Sequence, residues 1–495
     1  MAVGTESTNG VDHTGPSDPK GPTGQLCNWI SGLSLEQIPA ETQMRAKYLI
    51  LDGLTCALVG AQLPWSQKAV RTILDFEPSG SCGIWGWDRG VGALSAALLN
   101  STFIQGFELD DFHHLAPLHS NALILPALLA AIDHRSATHE APTITGKAFL
   151  LSAVTGYEVG PRVGLALNGG HMLSQGWHSG AVFGPSASAA AVSKLLELDA
   201  GTVESALGTA CTQACGLMSA QFESEAKRMQ HGFAAKSGLF AALMAKGGYK
   251  GIERVYEREY GGFLRTFSQG SGKDPQYAVD ELTKGLGAEW QIWDIKIKPY
   301  AAMAGTFATI DCISALQKEH PRIMEDVTNI ESIVVELGEA AFKHGGWKPQ
   351  RPLNAIGAQM SASYVAAVQL IDHRVTPAQF RHHQLDREHL WHLVDKIVCI
   401  HNQNFDKINP WRQKVTIKFQ GGERDDLVQQ VEKPKGFKPP LSNEDILHKW
   451  RDMTANVVDD ARREEIEQLV LDLENETDMK RLSGLLAGMT RSPIE

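Results

Sequence analysis

Over the first half of the chain, apolar residues recur every three to four positions. AETQMRAKYLILDGLTCALVG, Ala40–Gly60, holds this spacing for six turns and ends on glycine, which predicts one long helix. The same period predicts helices over residues 92–107, 121–131, 145–167, 185–198 and 232–245. Several are rich in alanine: Ala187, Ala189, Ala190 and Ala191 offer a surface against which a second helix can lie closely. A tightly packed helical core is the expectation.

The pattern changes after about Trp290. Residues 294–298 alternate, Ile330–Leu337 (IESIVVEL) is β-branched, and residues 415–419 alternate Val-Thr-Ile-Lys-Phe. Gly421-Gly422 and then Leu427–Val431 follow, which predicts a hairpin. Helical periods over 303–317 and 361–371 are interleaved with these strands. Residues 433–440, KPKGFKPP, read as a stiff basic linker. Ser442 then opens S-N-E-D, a helix start with acidic residues in the first turn, and helical periodicity continues to about Leu486. The predicted fold is mainly α with an α+β lid. A large discontinuous helical domain spans 26–290 and 441–495, a smaller α+β lid spans 291–432, and residues 1–25 form a disordered tail rich in Gly, Ser, Thr, Pro and Asp.

Composition narrows the function. The 495 residues hold 46 Lys and Arg against 57 Asp and Glu, a formal charge of −11. That balance argues against nucleic-acid or anionic-membrane partners, which select basic surfaces. It leaves room for a small anionic substrate if the cations are gathered in one pocket. Seven cysteines, an odd number spread along the chain, do not read as a disulfide framework. No long apolar run and no signal-like N-terminus occur, so the expected location is the cytoplasm.

The densest polar stretch is ELDDFHHLAPLHS, residues 108–120, set as a loop or helix entry between two helical periods. Its three carboxylates and three histidines admit three readings: a metal site, a solvated acidic loop, or acid–base chemistry. The spacing matches no H-E-x-x-H or Cys/His signature, so no metal is assigned, and titratable histidines beside carboxylates suit proton transfer. His178, in GWHSG, is a structural residue unless other site residues converge on it. Cys211 and Cys215, four apart on an apolar helix, read as buried structural thiols. Lys227-Arg228-Met-Gln-His231 precedes a helix, where side-chain donors and helix amides can together cradle a carboxylate. Lys296 and Lys298 lie where the helical part gives way to the α+β part, a favoured place for a pocket, and Arg351 is a further possible carboxylate clamp. No G-x-G-x-x-G, Walker or G-x-S-x-G pattern is present.

RAKYLILDG (45–53), ELDDFHHLAPLHS, GWHSGAVFG, ACTQACGLMSAQ (210–221), KRMQHGFAAKSG and IKIKPYA together resemble the MmgE/PrpD family, most closely its aconitate-decarboxylase branch, from about Leu26 to the C-terminus. The resemblance implies a helical domain with a smaller lid, a homodimer, no cofactor, and a tricarboxylate substrate that is decarboxylated or, in the dehydratase branch, dehydrated. It places His119, His178, Lys227 and Lys298 in catalysis. Glu108, Asp110, Asp111, Arg228, Tyr300, Met303, Phe307 and Arg351 are assigned to substrate binding. Glu108 stands where some members have aspartate. Family decarboxylases carry a cysteine- and glycine-rich stretch and a histidine nine residues after the second lysine; here the stretch is Ala301-Ala302-Met303-Ala304-Gly305 and the ninth residue is Phe307. If this stretch lines the pocket, an alkylated substrate is expected; otherwise the exchange is local repacking.

Such a substrate needs about three positive charges around its carboxylates, a dry subsite for the carboxylate that leaves, and an acid for the resulting carbanion. Decarboxylation is the primary expectation and dehydration of an alkylcitrate the alternative. A non-catalytic tricarboxylate-binding relative is the remote one, since both lysines and both histidines are present.

Overall fold

In a computed structural model of the protein, residues 14–138, 142–221, 224–421 and 425–495 are described. The helical part is built from α1 (Pro22–Gly32), α2 (Ala40–Gly60), α3 (Pro64–Phe76), α4 (Ala93–Ile104), α5 (Ser120–Ala137), α6 (Gly146–Ala166), α7 (Ser179–Leu195), α8 (Ala200–Cys211) and α9 (Gln230–Lys246). Helices α5, α6 and α7 are buried on nearly every side, as expected of helices that are apolar all round. Helix α7 packs against α5, α6, α8 and α9, and α4 against α2, α5 and α9. Small residues make this possible: a Cβ on Gly238 of α9 would lie 2.3 Å from the Ser188 Cβ of α7.

The smaller part follows a short strand at Ile295–Lys296. Its sheet has the order β6-β5-β7-β8, with β5 (Ile330–Leu337), β6 (Ile397–His401), β7 (Gln413–Phe419) and β8 (Leu427–Val431). Strand β6 runs parallel to β5, and β7 and β8 continue antiparallel. Helix α10 (Phe307–Glu319) packs on β7 and β8, and α11 (Ala362–Asp372) on α10 and on α12 (Glu388–Lys396). Two short antiparallel pairs are also present: β1 (Cys82–Ile84) with β2 (Arg89–Val91), and β3 (Phe112–His113) with β4 (Ile295–Lys296). The β3–β4 pair ties the histidine-rich loop to the segment that carries Lys298.

The last helices, α13 (Asn443–Thr454), α14 (Asp460–Leu471) and α15 (Lys480–Ala487), return to the helical part, where α13 and α14 pack on α2 and α15 on α5. Ser442 caps α13 through a capping box with Asp445. From α13 the buried Lys449 reaches inward, its Nζ 2.6 Å from Asp52 Oδ1 and donating to the Leu109 carbonyl at 2.7 Å. The chain is thus mainly helical with a small α+β part, as the periodicity predicts.

Several local expectations change. Residues 14–25 are built into the fold: the Ser17 backbone N–H and hydroxyl both donate to Glu204, and α1 already starts at Pro22. Residues 1–13 of the expected tail, and Gly422 of the expected hairpin turn, lie outside the described residues. Cys211 ends α8 and is buried, whereas Cys215 lies beyond the helix and is exposed, so only the first is a core thiol.

Candidate active site

Four segments meet at one place between the two parts of the molecule. The loop after α4 brings Glu108 and Asp110, and the turn into α5 brings His119. The turns before α7 and α9 supply His178 and Lys227-Arg228, and the chain after β4 supplies Lys298. The loop is held from both sides. From the helical part, Lys449 binds the Leu109 carbonyl; from the α+β part, Gln359 Oε1 accepts the Glu108 backbone N–H at 3.0 Å.

Glu108 is the hub. Its Oε1 receives Lys227 Nζ and Arg228 Nη1, the latter at 3.0 Å, and its Oε2 receives Lys298 Nζ at 2.9 Å. Burial alone would raise this carboxyl, but Lys227, Lys298 and Arg228 outweigh it and hold it well below the usual carboxylate range. Burial likewise works against the Lys298 ammonium, yet Glu108 and Asp110, the latter at 3.4 Å, raise it above its ordinary value. Burial pulls Lys227 down to about 8, with Glu108 opposing and Arg228 adding to the shift. Arg228 also donates to the Gln105 carbonyl and lies over the Trp65 ring, 5.9 Å from its centroid; its Nε and Nη2 are buried without a hydrogen-bond partner among the described residues.

Beside this cationic nest stand three histidines. His119 Nδ1 lies 2.8 Å from Asp110 Oδ2, a contact through which a carboxylate can orient an imidazole. Burial would raise Asp110, but His119 and Lys298 bring it below its ordinary value. His178 is the N-cap of α7: its Nδ1 accepts the Ala181 N–H at 3.3 Å, which leaves the proton of the neutral ring on Nε2. Burial, with His119 and Lys227, pushes His178 down to about 3.

His231, which the sequence pattern groups with Lys227 and Arg228 as a third potential cation, lies inside α9 and plays a different part. It is fully buried, edge-on to both His119 and His178 at ring-centroid distances of 4.8 and 5.1 Å. Its Nε2 accepts the His119 backbone N–H at 3.3 Å. Burial, with His119 and His178 adding to it, holds it well below the ordinary histidine value, so it is neutral. Space for it depends on Gly180, where a Cβ would fall 2.1 Å from His231 Nε2. A glycine following His-Ser in GWHSG is the one local signal that a bulky group sits against it.

The remaining predicted residues are engaged by other partners. Asp111 accepts the Ser120 and Asn121 backbone N–H groups at 2.8 and 3.2 Å and so caps α5 from below the site; burial and then Asp110 push it up to about 7. Tyr300 donates to Asp311 Oδ1 at 2.6 Å. Phe307 is fully buried, 5.6 Å edge-on to the Tyr300 ring, and opens α10. Phe307 is thus packed inside the α+β part. Met303 is half-buried, its N–H donating to the Gln359 carbonyl. Arg351 is engaged away from the nest: it binds Glu388 at 2.7 Å and the Asp386 carbonyl, and lies over Trp391. A short surface motif, Gln-Arg-Pro, carries no information about such a partner. Among the described residues, no three His, Cys, Asp or Glu side chains are placed to hold one metal ion.

Known proteins share this chain's sequence over nearly its whole length. The family model of the MmgE/PrpD N-terminal domain matches residues 24–276, and that of the MmgE/PrpD C-terminal domain matches residues 300–475. The chain is 46% identical over 470 residues to the cis-aconitate decarboxylase-like protein oryM of Aspergillus oryzae, covering 94% of this chain and 97% of that protein. It is 43% identical over 479 residues to a cis-aconitate decarboxylase of Aspergillus terreus, covering 96% and 97%. Human cis-aconitate decarboxylase is 25% identical over 469 residues, covering 93% of each chain.

Proposed function

The chain belongs to the MmgE/PrpD family, and from that membership and the geometry above we propose that it is a carbon–carbon lyase that decarboxylates cis-aconitate, or an alkylated aconitate, to an itaconate-type product. The observation that carries this reading is the buried nest of Lys227, Arg228 and Lys298 beside the Asp110–His119 pair. It offers cations for retained carboxylates and a proton donor at one edge. Near-full-length identity of 43% to a protein named cis-aconitate decarboxylase supports decarboxylation over dehydration.

In this reading the cations hold the carboxylates that the product keeps. The carbon–carbon bond to the third carboxylate breaks, carbon dioxide leaves, and the electron pair spreads over the adjoining double bond. Lys298 and Lys227 stabilise the negative charge as it develops. His119, oriented by Asp110, delivers a proton to the far carbon of the allyl system, which shifts the double bond. His178, neutral and with Nε2–H available, donates a hydrogen bond rather than a proton. His231 is a positioning residue for both rings.

The family also supports a homodimer that works in the cytoplasm without a cofactor. No single helix among the described residues is long and apolar enough to cross a membrane. Incubation of the purified protein with cis-aconitate, citrate and their 2-alkyl analogues, followed by product mass, tests the reaction. Loss of carbon dioxide from an aconitate is expected, and loss of water alone from a citrate would assign the protein to the dehydratase branch. Release of carbon dioxide from none of the substrates would refute the proposal.

A further inference from the structure

The nest that should bind an anion already holds one. A single carboxylate, Glu108, takes a bond from each of the three cations: Oε1 from Lys227 and Arg228, Oε2 from Lys298. Its backbone is pinned by Gln359, and the carbonyl of its neighbour Leu109 by Lys449, so the side chain is delivered to the nest by a loop fixed at both faces. A carboxylate cannot attract a tricarboxylate; it can only hold the cations in place or compete for them. The same three cations are the ones that a substrate carboxylate must reach, and two donor nitrogens of Arg228 are buried without a partner among the described residues.

We propose that Glu108 is an internal stand-in for a substrate carboxylate, which a tricarboxylate must displace from at least one cation and which a monocarboxylate cannot displace. This rests on the tricarboxylate reading above and deepens it by naming what sets the selectivity. A side chain held on its own loop competes at an effective concentration that a free single carboxylate does not reach. A ligand that brings two or three carboxylates on one molecule gains enough contacts to move it. The arrangement rejects small acids through a built-in competitor rather than through shape.

Calorimetric titration of wild type, Glu108→Gln and Glu108→Ala tests this with two probes, propane-1,2,3-tricarboxylate and acetate. Glu108→Gln keeps the side-chain shape and removes the competing charge, so it should bind the tricarboxylate about tenfold more tightly than wild type, with a steeper dependence on salt. Glu108→Ala vacates the nest and should bind acetate at least about tenfold more tightly than wild type does. Equal or weaker binding of both probes by the variants would show that Glu108 only organises the lysines, and would overturn the proposal. If neither variant folds, a structure of the wild type with the tricarboxylate decides: one Glu108 contact must be broken and taken over by the ligand, and all three intact would refute displacement. Failure of the wild type to bind the tricarboxylate would instead count against the proposed function, while the acetate comparison still reads the role of Glu108.

Discussion

Lys298→Ala removes a buried cation of the nest. Its Nζ lies 2.9 Å from Glu108 Oε2 and 3.4 Å from Asp110 Oδ1, and the residue is 2% exposed. At an effective dielectric of about 20, unit charges about 4 Å apart interact by about 4 kcal/mol. A carboxylate or developing carbanion held there loses that interaction. Lys227 and Arg228 compensate in part, leaving a loss of about 2 to 4 kcal/mol in transition-state stabilisation. That is a fall in kcat/KM of roughly 30- to 1000-fold. Lys298→Arg keeps the charge and should fall less. Removing one member of a buried ion pair also costs about 3–5 kcal/mol of stability, so rates are to be measured well below the melting temperature of the variant, with circular dichroism as the control. Carbon dioxide release from cis-aconitate is the assay. A folded Lys298→Ala protein that loses less than about tenfold in kcat/KM, or about 1.4 kcal/mol, would refute the role given to this lysine.

Three other perturbations read different parts of the design. His178 is held down to about 3 by burial, with His119 and Lys227 adding to it, so the unfolded chain binds a proton that the folded one does not between about pH 3 and 6.5. Stability should therefore rise with pH in that window by about 1.4 kcal/mol per unit on this account, and His178→Asn should remove that slope; urea midpoints at several pH values check it, and parallel curves for the two proteins would contradict it. Gly180→Ala drives a Cβ into His231, with an expected stability loss of about 1–3 kcal/mol and a larger proportional loss of activity; wild-type kcat/KM would show that His231 does not position the other rings. Lys449→Met strips Asp52 of its ion pair and the Leu109 carbonyl of its donor, which should cost about 3–5 kcal/mol in urea unfolding, and a loss below about 1 kcal/mol would mean that the tie is idle.

The periodic elements were legible because local period and burial agree. Ala40–Gly60 and Ile330–Leu337 form over the residues whose spacing predicts them. Helix starts were less so. The period over 185–198 hides that α7 begins at Ser179, because Pro185 sits inside the helix and the cap is a histidine, outside the usual Ser, Thr, Asp and Asn set. Helix α5 is capped by Asp111 from nine residues upstream of Ser120, so a carboxylate that reads as chemistry serves structure. Composition and motif brought Glu108, Asp110, His119, His178, Lys227, Arg228 and Lys298 to attention. They could not show that one carboxylate faces three cations, nor that His231 stands between rings from two other segments. Both are facts of packing between segments far apart in the chain.

Lys449 and the Leu109 carbonyl are 340 residues apart in the chain. During synthesis the N-terminal segments emerge and fold first, so the loop bearing Glu108 and Asp110 leaves the ribosome long before the helix that fastens it. Until α13 arrives, the histidines and lysines are all present but the loop between them lacks one of its two anchors. Completion of this site is therefore a late event in the chain's own biosynthesis, and a chain halted before α13 would carry every side chain of the nest on a loop not yet fastened from the helical side.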